Sequence, residues 1–291
     1  MQYIFSILLS GISLGGQYAL IAIGYTLVYG ILRLINFAHG DVFMAAGLMV
    51  VYLSATLPVT LTIPMMLIIT ILLGVVIERS AYKPLRTAPR MSVMISAIGV
   101  SYLIQNFATY ATGGLPQVYP KIGFLAKSVV IWGVPTKMVT IITPVLVFIL
   151  VVLLTQVINR SKIGMAMRAA SHDFETAQLM GIKINTVISC TFAIGSLLAA
   201  VGSVLYFTNY PSIVPLSGSL PGLRAFVAAV FGGIGSIPGA VVGAFIIGIC
   251  ESLIKGSPIS VFSDAFTFAL LILILVVKPT GLFGEDITDK V

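Results

Sequence analysis

Long runs of apolar residues, separated by short polar stretches, make up almost the whole chain. A run of about 20 apolar residues is the length that crosses the hydrocarbon core of a bilayer as an α-helix. Runs of this length favour helices over the shorter, alternating strands of a membrane barrel. The pattern gives nine apolar segments: Tyr3–Tyr29, Phe37–Leu57, Leu61–Ile77, Met91–Ala111, Met138–Ile158, Ile184–Phe207, Leu220–Ile234, Ile237–Leu253 and Ile259–Val277.

The seventh segment, Leu220–Ile234, is the shortest of the nine. It is either a full span or a half-helix that enters and leaves the membrane on one side, which would leave eight true spans. The sequence therefore predicts an all-α, polytopic helical bundle of about eight or nine transmembrane segments. Residues 1–291 are expected to form a single membrane domain.

Composition narrows the range of functions. Hydrophobic residues make up 58% of the chain and charged residues only 9%, whereas soluble domains average about 25% charged residues. The sequence contains neither a phosphate-binding loop nor a His-Glu-x-x-His motif, and both cysteines, Cys190 and Cys250, lie inside apolar runs. We therefore expect no enzymatic activity, no bound cofactor and no metal site.

The net charge of +7 lies mainly in the polar stretches between the apolar segments. Two clusters hold half of the basic residues: Arg79, Lys83, Arg86 and Arg90 in one, and Arg160, Lys162, Arg168 and Lys183 in the other. An excess of Lys and Arg marks cytoplasmic loops, so both clusters are predicted to be cytoplasmic and Thr112–Lys137 to lie outside. The charge is thus explained by membrane orientation, and no nucleic-acid partner is expected.

The longest polar interruption with helical character runs over residues 159–183. Asp173 is a candidate N-cap, Glu175 would lie in the first turn, and Gly181 is a candidate C′ residue. One face of this two-turn helix would carry the residues spaced i, i+3, i+4 and i+7, namely Phe174, Ala177, Gln178 and Gly181. The stretch is either a site where a soluble partner protein binds or an ordinary cytoplasmic loop that happens to be helical.

A second polar stretch lies between the first two apolar segments and contains Arg33, Asn36, His39 and Asp41. Placing an ionisable residue at or near membrane depth costs free energy, so such a residue is first interpreted as functional. The alternative is a tight turn in which Arg33 pairs with Asp41 and Gly40 supplies a permissive backbone. We favour this structural interpretation.

Small and polar residues inside the apolar segments predict close helix packing. Gly235, Gly239 and Gly243 recur every four residues, a spacing that lets helix backbones approach within the chain or, less commonly, between two copies. Polar side chains inside the segments either line a polar path or form hydrogen bonds between helices: Gln17, Gln105, Asn106, Glu251 and Asp264.

Three stretches carry a resemblance to a known family: Tyr18–Asp41, Arg168–Gly181 and Phe231–Gly239. Together they resemble the LivH-type permeases of branched-chain amino acid ABC importers, and the resemblance covers nearly the whole chain. The run Glu175-Thr-Ala-x-x-x-Gly181 is similar to the Glu-Ala-Ala-x-x-x-Gly loop of ABC permeases. It differs in having Thr176 as its second residue and in lacking the usual hydrophobic-Pro ending.

The resemblance implies a subunit of the bacterial cytoplasmic (inner) membrane that forms half of a translocation pathway and is surrounded by membrane lipid. It implies four further subunits: a second homologous permease, two cytoplasmic ATPases that hydrolyse ATP, and an extracytoplasmic substrate-binding protein. Phe174–Gly181, within the 159–183 loop, would be the coupling helix that the ATPases push. Branched-chain or other amino acids would be the substrates. A permease for amides or urea, an ion-coupled secondary transporter and a channel are the alternatives.

Overall fold

The computed structural model describes residues 2–86 and 88–284, and most of these residues are helical. The α-helices are α1 (Gln2–Leu32), α2 (His39–Ser54), α3 (Val59–Ile77), α4 (Arg90–Thr112), α5 (Met138–Arg160), α6 (Lys162–His172), α7 (Phe174–Leu179), α8 (Ile184–Asn209), α9 (Ser219–Gly232), α10 (Ile237–Lys255) and α11 (Ser263–Val277). A π-helical turn and a 3-10 turn continue α3 as far as Leu85, and a further 3-10 turn, Ser260–Phe262, precedes α11. The prediction of an all-α bundle is confirmed.

In the described part of the chain, seven helices are long and apolar enough to cross a membrane: α1, α3 with its continuation, α4, α5, α8, α10, and α11 with its preceding turn. Two further apolar helices are shorter, α2 with 16 residues and α9 with 14. The short α9 corresponds to the seventh apolar segment, whose shortness the sequence showed. The short α2 was not expected, because the apolar run Phe37–Leu57 suggested a full span.

Helix α2 begins inside the bundle, where it meets α9. His39, the first residue of α2, packs so closely against Gly24 of α1 that a Cβ there would collide with the imidazole ring. Gly24 lies eight residues before the end of α1, which corresponds to a depth of about 12 Å. A Cβ on Gly222 of α9 would lie 2.8 Å from the Cα of Gly40 in α2. The two helices therefore approach each other near their N-termini in the protein interior.

The two long helices α1 and α8 make corresponding contacts with the short helices. Helix α1 packs against α9 and α10, whereas α8 packs against α2 and α3, and α1 and α8 cross each other. The corresponding short helices also share a sequence pattern, Asp-Val-Phe-Met-Ala-Ala at residues 41–46 and Arg-Ala-Phe-Val-Ala-Ala at residues 224–229. The bundle thus contains two related halves, α1–α4 and α8–α11, with Asp41 and Arg224 at corresponding positions.

Four short strands lie at one end of the bundle, called the hairpin end below. Strand β1 (Gln117–Val118) pairs antiparallel with β4 (Ser212–Ile213), and β2 (Ser128–Ile131) forms a hairpin with β3 (Val134–Lys137). The opposite end, called the basic end, contains both basic clusters.

Side-chain contacts join three loops at the basic end. Arg86 donates to the amide oxygen of Asn185, and Arg33 lies 3.5 Å from the carbonyl oxygen of Ser171. The two clusters that the sequence assigned to one side of the membrane therefore lie together.

The glycine pattern near α10 has two different uses. A Cβ on Gly239 or Gly243 would collide with a backbone carbonyl oxygen of α9, that of Gly232 or Ala228 respectively. These two glycines lie where α9 and α10 touch. Gly235 departs from the prediction, because it lies in the loop before α10 with a φ of 103° and a Cβ there would meet no atom within 4 Å. Its role is to permit a left-handed turn, since L side chains rarely adopt that conformation.

Candidate functional site

Helix α6 is held across the basic end by its first residues and by one arginine. The Ser161 hydroxyl accepts a hydrogen bond from the Gly164 N–H at 2.9 Å, which caps the helix. Arg168 donates to the carbonyl oxygen of Ile158 and to the side-chain oxygen of Asn159, so α6 is tied back to the end of α5. Helix α6 also packs against α1 and α8. It therefore connects the surface of the basic end with the two central spans.

Helix α7 has a defined beginning and end. Asp173 Oδ1 accepts hydrogen bonds from the backbone N–H of Glu175 at 2.9 Å and of Thr176 at 3.2 Å. The Thr176 hydroxyl donates to the other carboxylate oxygen, and this bond is the main reason why the pKa of Asp173 lies below its ordinary value. Gly181 adopts a φ of 83°, and the next N–H returns to the Ala177 carbonyl oxygen at 3.1 Å. The structure thus has both caps where the sequence predicted them.

The orientation of α7 differs from the prediction. Ala177 is only 4% exposed, and Phe174 is partly buried against the hydrophobic core, so these two residues face inward. A docking role for the face of Phe174, Ala177, Gln178 and Gly181 stays a prediction. The exposed apolar side chains are Leu179 and Met180, which are 87% and 78% exposed. Gln178 and Glu175 are exposed as well.

A groove of about 660 Å³ runs between α6 and α7. Most of its lining is apolar, with Met165, Ala169, Met180 and Ile182 among the residues, and Lys162 and His172 also line it. An apolar groove beside two exposed apolar side chains can receive apolar side chains of a partner protein. The basic end therefore presents a candidate docking surface made of α6, α7 and this groove.

The stretch between α1 and α2 is not held by an ion pair between Arg33 and Asp41. Asp41 Oδ2 accepts from the Ser101 hydroxyl at 2.5 Å, and Oδ1 accepts from the Gln105 side chain at 3.0 Å, so Asp41 binds α4. Arg33 remains at the surface of the basic end, near Ser171. The predicted pair fails because α2 begins deep in the bundle, which separates Asp41 from Arg33.

The other two residues of this stretch are buried and structural in their contacts. Asn36 accepts hydrogen bonds from the Tyr82 hydroxyl at 2.9 Å and from the Ala38 N–H at 3.2 Å. The His39 ring packs edge-on against Tyr25, with ring centroids 4.9 Å apart. The stretch therefore fixes the point at which the chain turns back into the bundle.

A buried ionic network, which the sequence analysis missed in part, joins α1, α9, α10 and α11. Arg224, 8% exposed, lies 2.8 Å from Glu251 Oε1 and 3.0 Å from the Tyr18 hydroxyl, and it also binds Asp264. Lys255 contacts the same Glu251 oxygen at 2.6 Å. Glu251 and Asp264 were noted in the sequence, but Arg224 was not, although a single basic residue inside the short apolar segment Leu220–Ile234 was the available signal.

The polar residues noted inside the spans mostly bond between helices. Gln17 donates to the Leu205 carbonyl oxygen at 3.4 Å, and Gln105, Glu251 and Asp264 have the partners given above. Asn106 is the exception, since it is exposed and its side chain donates to Tyr102 in the preceding turn of the same helix at 2.8 Å. Within residues 2–86 and 88–284, no group of three or more His, Cys, Asp or Glu side chains is placed to hold a metal ion.

Comparisons with known proteins point to one family. Residues 7–275 match a family model described as "Branched-chain amino acid transport system / permease component". The high-affinity branched-chain amino acid transport system permease protein BraD of Pseudomonas aeruginosa is 39% identical over 98% of this chain and 97% of its own length. The corresponding LivH protein of Escherichia coli K12 is 40% identical over 99% and 98%, respectively. The probable branched-chain amino acid transport permease protein LivH of Methanocaldococcus jannaschii is 27% identical over 92% and 88%.

Proposed function

The chain belongs to the family of permease components of branched-chain amino acid transport systems, and we propose that it forms half of the pathway through which an ABC importer moves these amino acids. It is a multi-pass protein of the inner membrane and not an enzyme, so ATP is hydrolysed by separate subunits. The relatives support a branched-chain amino acid permease and give no support to an amide or urea permease or an ion-coupled transporter.

The proposed assembly contains one partner class at each end of the bundle and one beside it. Two ATPase subunits bind the basic end on the cytoplasmic side, where the excess of Arg and Lys belongs. An extracytoplasmic substrate-binding protein delivers the amino acid at the hairpin end. A second homologous permease subunit completes the pathway within the membrane.

The docking surface at the basic end is the observation that carries this proposal. Leu179 and Met180 are almost fully exposed beside an apolar groove, an arrangement that favours contact with another protein over contact with water. A short helix can pass on a movement of the ATPase only if it stays helical while it moves. The hydrogen bonds of Asp173 at the start of α7 and the left-handed Gly181 after its end keep it helical.

The same contacts suggest how a push on α7 reaches the membrane. Phe174 and Ala177 seat α7 on the protein, and α6 beside it packs against both α1 and α8. These two helices hold the short helices α2 and α9 on their flanks. A displacement of α6 and α7 is therefore passed to the centre of the bundle through packed side chains.

The test removes the exposed apolar side chains of α7. A Leu179→Ala/Met180→Ala double variant should weaken ATPase capture by about 100-fold or more, because burying each side chain is worth roughly 1.5–3 kcal/mol. Leucine uptake should fall in parallel, while membrane insertion remains normal. The matched control is Leu115→Ala/Val118→Ala, two side chains that are 66% and 79% exposed at the hairpin end. Normal ATPase capture by the α7 variant would refute the assignment of this surface.

A further inference from the structure

Helix α4 combines two properties that are incompatible with contact to lipid alone. It has the lowest mean hydropathy of the seven helices that are long and apolar enough to span, and less than a quarter of its most apolar window is buried in the protein. Helices α5 and α11 are covered to a similar or smaller extent, but they are far more apolar. A span with so little cover should be strongly apolar if hydrocarbon surrounds it.

The exposed side of α4 contains an amide and two tyrosines. Tyr102 and Tyr110 are 62% and 88% exposed, and Asn106 lies between them on the same side of the helix. Among the described residues, the Asn106 amide has one hydrogen-bond partner, the Tyr102 carbonyl oxygen of its own helix. Leaving the rest of an amide unpaired in hydrocarbon is costly. Helix α4 also exposes Leu103 and Phe107, which are 70% and 71% exposed, whereas the most exposed side chains in the first half of α5, Val145 and Phe148, are both apolar.

Gly99 lies on this same side of α4, and no contact within the described chain requires a glycine at this position. It is the only helical glycine in the described part of the chain for which a Cβ would meet no atom within 4 Å. Glycine in the middle of a helix is unfavourable relative to alanine, so it is normally retained where another backbone or a ligand approaches closely. Since no atom of the described chain lies within 4 Å of a Cβ built on Gly99, this position leaves room for a group from outside the chain.

The rotation of α4 about its axis is fixed from the other side. Ser101 and Gln105 both donate to Asp41 of α2, on a side of the helix well away from Gly99 and Asn106. Asp41 is therefore a positioning residue, which keeps the side with Gly99 and Asn106 turned outward.

We propose that this side of α4, the "α4 face" of Gly99, Tyr102, Asn106 and Tyr110, lines the aqueous pathway for the amino acid and faces the second permease subunit. The inference rests on the proposed function, which requires such a pathway between two permeases. The Asn106 amide and the tyrosine hydroxyls can exchange hydrogen bonds with the ammonium and carboxylate groups of a passing amino acid. The tyrosine rings and Leu103, which is 70% exposed, offer a surface for its aliphatic side chain.

The first experiment fills the space next to Gly99 in the full complex with its ATPases and binding protein. A Gly99→Trp variant should fold and capture the ATPases normally, because Gly99 is exposed and a Cβ there meets no described atom within 4 Å, but its leucine uptake should fall at least tenfold. The control is Phe148→Trp on α5, where the native side chain is 70% exposed, and uptake should be unchanged. If Gly99→Trp transports leucine at the wild-type rate, α4 faces lipid and the proposal is wrong.

The second experiment separates an aqueous pathway from a dry subunit contact. In a complex with Cys190 and Cys250 replaced by serine, an Asn106→Cys variant should react with a charged, water-soluble thiol reagent, whereas a Phe148→Cys variant should not. A Ser128→Cys variant in the hairpin provides the positive control. If only the Ser128→Cys variant reacts, the α4 face is not in water and the proposal is overturned. ATPase capture by the same complexes reports on the proposed function independently.

Discussion

Replacing Arg224 by methionine should destabilise the subunit by about 3 kcal/mol. Removing one partner of a buried ion pair costs roughly 3–5 kcal/mol, because the other charge is left without compensation. Glu251 is fully buried, but Lys255 remains 2.6 Å from one of its oxygens. Asp264, whose side chain is 46% exposed, can be solvated when Arg224 is lost. The expected loss therefore lies at the lower end of that range.

A second substitution tests whether the loss comes from the stranded carboxylate. In an Arg224→Met/Glu251→Gln variant, the buried negative charge is gone, and the glutamine oxygen can still accept the Tyr18 hydroxyl hydrogen bond. This double variant should be more stable than Arg224→Met alone, although it contains one more substitution. Lys255→Met should cost less than about 1 kcal/mol, because Lys255 is half-exposed and Arg224 still neutralises Glu251.

The free energy of unfolding of the purified subunit in mixed detergent micelles is the quantity to measure. The reasoning fails if Arg224→Met is as stable as the wild-type subunit. It also fails if the double variant loses the sum of the two single effects, since the two side chains would then act independently.

Three further outcomes follow from individual contacts. Gly239→Ala should lower the free energy of unfolding by about 1–3 kcal/mol, because its methyl group would meet the Gly232 carbonyl oxygen. Gly99→Ala should not lower it. Equal stability of the two variants would contradict the packing of α9 against α10. Asp41→Asn should lower the yield of folded protein without changing the relative uptake of leucine, isoleucine and valine; a well-folded variant with altered ratios would place Asp41 on the pathway. Because hydrogen bonds lower the pKa of Asp173, its capping contribution is present above the ordinary carboxyl pKa, about 4, and is lost only as the pH falls through the lowered value. ATPase capture should therefore be constant between about pH 6 and 8, and a change in this range would contradict the role of the cap.

The sequence predicts the features of this protein that depend on neighbouring residues. Membrane-spanning helices follow from the length of apolar runs, and the limits of α7 follow from Asp173 and Gly181, since capping acts within a few residues. The inward orientation of Phe174 could not be predicted in the same way. It depends on packing against the hydrophobic core, which brings together elements distant in the chain.

Two other features depend on depth in the membrane, which an apolar run does not encode. The run Phe37–Leu57 is long enough to span, yet α2 begins at His39 beside Gly24 and crosses only part of the bundle. Arg224 is far in sequence from its partner Tyr18, 206 residues away. A lone arginine in an apolar segment predicts that acidic partners exist, but the fold decides which ones.

The two short helices carry opposite charges, Asp41 in α2 and Arg224 in α9, and this difference helps to indicate where the pathway lies. A helix N-terminus carries a partial positive charge, about half an elementary charge, which favours a carboxylate. Asp41, in the first turn of α2, meets this preference and needs only the Ser101 hydroxyl and the Gln105 amide. Arg224 aligns with Asp41 in the shared sequence pattern but lies in the second turn of α9, and it is held by two carboxylates, one of them on α11. Helix α11 is thus fixed by an ion pair and exposes mainly apolar side chains, whereas α4 is fixed by neutral donors and exposes Asn106 and two tyrosines beside its apolar side chains. Of these two related spans, α4 is the one suited to face water and a passing amino acid.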